Sequence, residues 1–202
     1  MDGLMVDSEP VWHEVELAVA QAHGGLWTQA LSTECIGTGL PHTVELMRER
    51  LGLELTVEQG VAELVAGLIA RVAQVAIKPG CAELIAAAAG RIPLALASGS
   101  TRRIIDAVLD QFGLARRFGV VLSCESVARG KPAPDIFLCA AEQLSRAPAE
   151  CIVLEDSPAG VQAARAAGMR VIAVPERDKA RFVGLADHVV DDLFQARELI
   201  DL

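Results

Sequence analysis

From Pro79-Gly80 onward the sequence alternates short apolar runs with longer amphipathic stretches, and this alternation constrains the fold more than any other feature. Helical periodicity covers 82–89, 102–112 (ended by Gly113), 135–144 and 159–167 (ended by Gly168). Between them lie apolar runs at 94–97, 120–122, 151–154 and 171–174, with Val189-Val190 following. Strands and helices of these lengths in strict alternation predict right-handed βαβ units: a doubly wound α/β domain with a parallel sheet. Residues 10–78 read differently. Val11-Trp12, Val15 and Val19 share one helical face, and Gly24-Gly25 stops that helix. A turn at Gly37–Pro41 precedes a second helix carrying Val44, Met47 and Leu51, and Thr56 caps a third with Glu58-Gln59 in its first turn. No strand is expected there, so residues 10–78 form an all-α insertion between the two parts of the core, 1–9 and 79–202.

In open α/β sheets chemistry gathers at the carboxyl ends of strands, and the polar residues of this chain stand at those positions. Cys151–Met169 reads CIVLEDSPAGVQAARAAGM. Glu155 and Asp156 fall at the end of a buried strand, Ser157 is placed to cap the next helix, and Pro158 takes its first position. Adjacent carboxylates repel unless something positive offsets them, and a hard divalent cation does so; a solvated acidic turn is the plainer alternative. After the 94–97 run come Ser98-Gly99-Ser100-Thr101, a hydroxyl, a glycine and a helix start, which suit a phosphate oxygen. Ser100 or Thr101 acting simply as the helix cap is the commoner role. Lys131 lies in Arg129-Gly130-Lys131-Pro132-Ala133-Pro134-Asp135, where glycine and prolines restrain the backbone around the cation, and Asp135 is placed to cap the following helix. Asp2-Gly3 is foremost a turn signal.

Taken in order, Asp2–Glu9 (DGLMVDSE), 96–100 (LASGS), 129–135 (RGKPAPD) and 153–169 (VLEDSPAGVQAARAAGM) resemble the four motifs of the haloacid dehalogenase superfamily. The closest likeness is to its β-phosphoglucomutase-like and sugar-phosphatase branch, which carries a helical cap after the first motif. The resemblance implies Mg2+-dependent hydrolysis of a small phosphate monoester through an aspartyl-phosphate. It makes Asp2 the general acid/base and, through its carbonyl, a metal ligand. Ser98 and Gly99 would hold the phosphoryl group, Lys131 would neutralise it, and Glu155 and Asp156 would hold Mg2+ directly or through water. Candidate cap residues for the substrate are Trp12, His13, Thr38 and His42.

One departure follows from the same resemblance. The first motif is D-x-D-G, and its leading, nucleophilic Asp falls upstream of Met1 together with the strand that carries it. Loss of a central strand would orphan buried backbone groups at about 1–3 kcal/mol each, against a total stability of about 5–15 kcal/mol. Two expectations compete: a natural chain that begins upstream, or a short, inactive relative that still binds phosphate or Mg2+. The first is preferred, because the other motifs are intact; the 202 residues by themselves are then expected to be inactive. A mutase is the second enzymatic reading. Its branch carries an Arg in the cap turn, absent from Gly37–His42, and a His where Trp12 stands beside His13. A receiver-type signalling domain fits worse, since it lacks a helical insertion and has its acids early in the chain.

Composition narrows the partners. Eighteen basic against twenty-seven acidic residues give a net charge of −9, which argues against nucleic acid and anionic membranes. Tyr is absent and aromatics are scarce, leaving little surface for stacking bases. Five widely spaced cysteines with no CxxC pair indicate neither a disulfide framework nor a zinc site and suit a reducing cytoplasm. The N-terminus shows no signal-peptide pattern, and the apolar run 61–77 is broken by Glu63, Arg71 and Gln74. A cytoplasmic monomer acting on a small phosphorylated metabolite is the expectation.

Overall fold

The computed structural model describes residues 1–200. The chain divides into two compact units, Ser8–Ala76 and the combination of Met1–Asp7 with the chain from Ile77 on.

The first strand, β1 (Val6–Asp7), follows a tight turn in which the Met1 carbonyl accepts from the Met5 N–H at 2.8 Å and Gly3 N–H donates to Val6 O at 2.9 Å. Ser8–Ala76 is helical: α1 (Glu9–Ala22), α2 (Gln29–Cys35), α3 (Leu40–Leu51) and α4 (Val57–Ala70). Val11, Val15, Val44, Met47, Leu64, Val65 and Leu68 form its apolar interior. Helix α4 packs on α1 and α3, and its glycines permit close approach. A Cβ on Gly60 would lie 2.8 Å from Val44 Cγ2 and 2.9 Å from Leu55 Cδ1, and one on Gly67 would lie 2.7 Å from Val15 Cγ1. Thr56 starts α4 through a capping box: its hydroxyl accepts from Gln59 N–H at 3.1 Å, and Gln59 Oε1 accepts from Thr56 N–H at 2.9 Å.

Two features of this unit depart from the sequence expectation. There are four helices instead of three; α2, capped by Thr28, spans only two turns and shows no sustained period. Ala76–Ile77 is extended, forming β2, because the helical run ends at Arg71 and a single 3₁₀ turn at Val72–Gln74.

The remainder alternates as expected: α5 (Cys81–Ala88), β3 (Ala95–Ala97), α6 (Arg102–Gln111), β4 (Val120–Leu122), α7 (Asp135–Gln143), β5 (Ile152–Glu155), α8 (Pro158–Ala166), β6 (Arg170–Ala173) and β7 (His188–Val189). A last helix, α9 (Leu193–Leu199), capped by Asp192, completes it. All these strands pair in parallel. Ala95 is in register with Val120 and Ala97 with Leu122. Ile152 pairs with Arg170, Glu155 with Ala173, and Ile172 with His188. The ladders form two groups, β3–β4 and β5–β6–β7, and among the described residues no ladder joins β3 to β5. Helices α7 and α8 cover both groups from one side, through Ile136, Phe137, Ala140, Val161 and Ala164 packed with Val120, Leu122, Val153 and Val171. Helix α6 buries Ile104, Ile105, Val108 and Leu109, and α5 packs with α9. This is a doubly wound α/β core interrupted by an all-α unit. Among the described residues no helix is long and apolar enough to cross a membrane.

Candidate active site

Two polar motifs stand at the carboxyl end of a parallel strand, Ser98 directly after β3 and Glu155-Asp156 at the end of β5, while Lys131 lies in the loop between β4 and α7 and Asp2 precedes β1. β3 leads into Ser98, whose N–H extends the ladder by donating to Leu122 O at 3.0 Å. Its side chain is buried, and its Oγ accepts from Ser100 N–H at 3.1 Å. Ser100 Oγ in turn donates to Asp2 Oδ2 at 2.7 Å, joining residues 98 positions apart. The capping role expected of Ser100 or Thr101 is therefore not what the structure shows. Thr101 occupies the N-cap position of α6 without a side-chain cap bond, and Ser100 is turned to Asp2. The carboxylate of Glu125 takes the free N–H of Arg102 at 2.9 Å instead.

Lys131 bridges the two groups of strands. Its ammonium donates to Ala97 O at the end of β3 (3.3 Å) and to Glu155 Oε1 at the end of β5, while lying 4.9 Å from the ring centroid of Phe137. Both partners of this ion pair are largely buried, with side-chain exposures of 17% for Lys131 and 6% for Glu155. The other oxygen of Glu155 accepts from Ser157 Oγ at 3.0 Å and Ser157 N–H at 3.3 Å. Ser157 also caps α8, accepting from Gly160 N–H at 3.1 Å, with Pro158 at the first position. Gly160 is required here: a Cβ would collide with the Glu155 carboxyl group. Asp135 is not a cap. It is the first residue of α7, after Pro134, and pairs with Arg129 at 3.0 Å.

Asp156 sits on the other side of Glu155, its carboxylate against the Cα of Gly3. Gly3 has φ +72°, so both its backbone conformation and its contact with Asp156 exclude a side chain. The ring of contacts is thus closed: Asp2 to Ser100, Ser100 to Ser98, Ala97 to Lys131, Lys131 to Glu155, and Asp156 back to Gly3.

Electrostatics divide the acidic pair. Burial by itself would raise the Glu155 pKa, but the charge and hydrogen bond of Lys131, with the Ser157 N–H, hold it below the usual carboxylate range. For Asp156 the lowering effects of its own N–H and of Lys131 are outweighed. Burial first, and then the negative charge of Glu155, push it up to about 6. An added cation beside Asp156 would relieve this arrangement, and the oxygens of Asp2 and Asp156 are hard donors suited to Mg2+. Among the described residues no three His, Cys, Asp or Glu side chains converge as a ready-made metal cluster. Glu155 is committed on both oxygens to Lys131 and Ser157.

The family model of haloacid dehalogenase-like hydrolases matches residues 1–168. The chain belongs to this family. Among curated proteins, this chain is 32% identical over 200 residues to the bifunctional riboflavin kinase/FMN phosphatase of Arabidopsis thaliana, covering 98% of the chain but 53% of that protein. It therefore spans only about half the length of that relative. It is also 32% identical to hexitol phosphatase B of Escherichia coli K12, covering 99% of this chain and 94% of that one. Among solved structures, CbbY from Rhodobacter sphaeroides in complex with phosphate superimposes with a TM-score of 0.85 at 27% identity, covering 96% of this chain and 92% of that one.

The four cap candidates lie within Ser8–Ala76. Trp12 and His13 are half-buried on α1, and His42 is exposed on α3. Thr38 closes the turn after α2, its hydroxyl donating to Cys35 O at 2.8 Å. Around His13 the structure brings together three residues that periodicity does not single out: Glu16, Trp27 and Ser32. The only sequence signal for them was a Glu on the apolar face of α1, three residues after His13.

Proposed function

We propose that this hydrolase is a Mg2+-dependent phosphatase acting on a small phosphate monoester, with sugar or polyol phosphates the preferred class. What supports this reading is the chain of contacts that links Asp2 to Ser100 and Ser98, Ala97 to Lys131 and Glu155, and Asp156 to Gly3. The names of its relatives point the same way.

Phosphoryl transfer requires alignment and charge neutralisation above all. In this reading the Ser98 hydroxyl and the Gly99 N–H hold the phosphoryl oxygens. Lys131, anchored by Ala97 and Glu155, supplies positive charge without moving. Asp156 and Asp2 would hold Mg2+, with Glu155 supporting from the Lys131 side. When bound, the ion neutralises the phosphoryl oxygens. In the family pattern the attacking carboxylate would belong to an aspartate two positions before Asp2. Its attack would form a carboxylate O–P bond as the ester P–O bond breaks, and water would later cleave that O–P bond to release phosphate. Asp2 gives its proton to the departing alkoxide, then takes one from the water that releases phosphate; Ser100 holds Asp2 in place for both steps.

The test is turnover of p-nitrophenyl phosphate with Mg2+ by residues 1–202 and by the same chain extended upstream through that aspartate. The expected result is activity of the extended form alone, abolished by Asp2→Asn. Turnover by residues 1–202 would overturn the assignment of the nucleophile, and phosphate binding without turnover by the extended form would leave a non-catalytic binding protein. With β-glucose 1-phosphate, release of inorganic phosphate is expected; glucose 6-phosphate without free phosphate would make the protein a mutase.

A further inference from the structure

The segment that carries Ser98, Gly99 and Ser100 is clamped by a neighbouring turn that the phosphatase reading does not use. Four hydrogen bonds join residues 98–102 to residues 121–125. Ser98 N–H donates to Leu122 O at 3.0 Å, and Cys124 N–H donates to Ser100 O at 3.2 Å. Arg102 N–H, the first of α6, donates to Glu125 Oε2 at 2.9 Å, and Arg102 Nη1 reaches Val121 O at 3.4 Å. The Glu125 carboxylate is itself held. The same Oε2 accepts from Ser123 Oγ at 3.2 Å, and Ser123 Oγ accepts from Glu125 N–H at 3.2 Å. Ser126 Oγ closes the turn by accepting from Ser123 N–H at 3.0 Å. The product is a 3₁₀ turn, Cys124–Ser126, that starts on buried Ser123 and presents one carboxylate oxygen to the start of α6.

This turn decides what Ser100 does. A serine hydroxyl two residues before a free N–H can close an ST turn on it, and serines ahead of helices serve this way. Here the Arg102 N–H is already held by Glu125, 23 residues away in sequence. Thr101, at the N-cap position, makes no cap bond either, and its Oγ1 is buried without a hydrogen-bond partner. The backbone of Ser100 is engaged on both sides, its N–H by Ser98 Oγ at 3.1 Å and its carbonyl by Cys124 N–H. Its hydroxyl is left to donate to Asp2 Oδ2 at 2.7 Å. The ties of Ser98 and Cys124 run backbone to backbone and do not depend on side-chain identity. Glu125 supplies the side chain that chooses between the two roles open to Ser100.

We infer that Glu125 is a positioning residue for Asp2: by taking the Arg102 N–H it keeps the Ser100 hydroxyl off the helix start and on the Asp2 carboxylate. The role of Asp2 as general acid/base rests on the phosphatase reading; the coupling from Glu125 through Ser100 to Asp2 does not. All of these residues belong to one compact unit. A group that moves a proton must be aimed at its partner atom within hydrogen-bond reach, and a carboxylate held by a hydroxyl keeps its aim where a freely rotating one does not. Glu125 acts at second hand, since its described side-chain bonds go to Arg102 and Ser123. Its side chain is exposed, so its bond to Arg102 competes with water and has the strength of one ordinary hydrogen bond.

Hydrogen exchange and carboxyl carbon-13 NMR of residues 1–202 test the inference without catalysis. In the wild type the Arg102 amide should exchange roughly five- to tenfold more slowly than an unbonded amide at a helix start, one hydrogen bond's worth. An unprotected Arg102 amide overturns the inference, whether or not any variant folds. Glu125→Ala should remove the protection and move the Asp2 side-chain carboxyl resonance in the direction that Ser100→Ala moves it. Glu125→Gln, which keeps an acceptor oxygen, should restore both. In a Ser100→Ala background, Glu125→Ala should leave the Asp2 resonance in place. An Asp2 resonance that Glu125→Ala fails to move, or moves equally with and without the Ser100 hydroxyl, sinks the coupling. Titration of the wild type with inorganic phosphate and Mg2+ separates the two readings. A shift of the Gly99 amide supports the phosphatase reading and the role given to Asp2. An unmoved Gly99 amide sinks both, while the coupling is judged on the Asp2 resonance alone.

Discussion

Lys131 and Glu155 show how much a single buried pair can decide. Removing one partner of such a pair strands the other in a poorly solvated place, at a cost of about 3–5 kcal/mol. Lys131→Met should therefore lower the unfolding free energy of the α/β unit by roughly that amount, and Lys131→Met with Glu155→Gln should recover most of it. Urea denaturation of the two variants checks this. Equal destabilisation by the single and double changes would show that the charges are not coupled. The pair also illustrates what is not legible from local sequence. Lys131 stands out because glycine and prolines surround it, but nothing local indicates that its ammonium reaches Ala97, 34 residues back, and Glu155, 24 residues ahead. Ser100 is the sharper case. It sits where serines cap helices, and only its proximity to Asp2 turns its hydroxyl elsewhere.

Whole elements announce themselves when their signals are local. Ser157-Pro158 before α8 and Thr56 with Gln59 at α4 are i to i+3 relations, written within four residues of sequence. Helices α2 and α9, seven residues each, offer too few positions for a period to emerge, and only the caps Thr28 and Asp192 mark them. Strand β2 is two residues long and has no period at all. Helix packing is where local preference misleads. By propensity Gly60→Ala should stabilise α4; in the structure its Cβ would press on Val44 and Leu55. The substitution should destabilise the helical unit by about 1–3 kcal/mol, as overpacking does, read as a lower thermal midpoint by circular dichroism. A raised midpoint would mean that α3 and α4 have room to separate.

At the scale of the molecule, a net charge of −9 makes the placement of buried acids matter more than their number. Glu16 has its pKa raised in the folded state, chiefly by burial. A raised folded pKa means that the native state binds the proton more tightly than the unfolded chain. The stabilising contribution is complete below the ordinary Glu value of 4.5 and is lost as pH climbs through the folded value. Glu16→Gln keeps a side-chain oxygen for Ser32 and Trp27 but cannot titrate. The difference in thermal midpoint between Glu16→Gln and wild type should therefore grow in the variant's favour as pH rises above 4.5. A difference that does not change with pH would show that Glu16 titrates as an ordinary carboxylate.

The sequence by itself determined the α/β alternation from Pro79 on, the helical character of the residues before it, and the four motifs whose order points to one family. These are properties of neighbours along the chain: period, cap and turn chemistry act over three or four residues. Only the tertiary structure decided that Ser100 serves Asp2, that Lys131 ties β3 to β5, and that Glu16, Trp27 and Ser32 gather beside His13. Those bonds join residues far apart in sequence, and a hydrogen bond is set by distance and direction in space, which residue spacing along the chain does not encode.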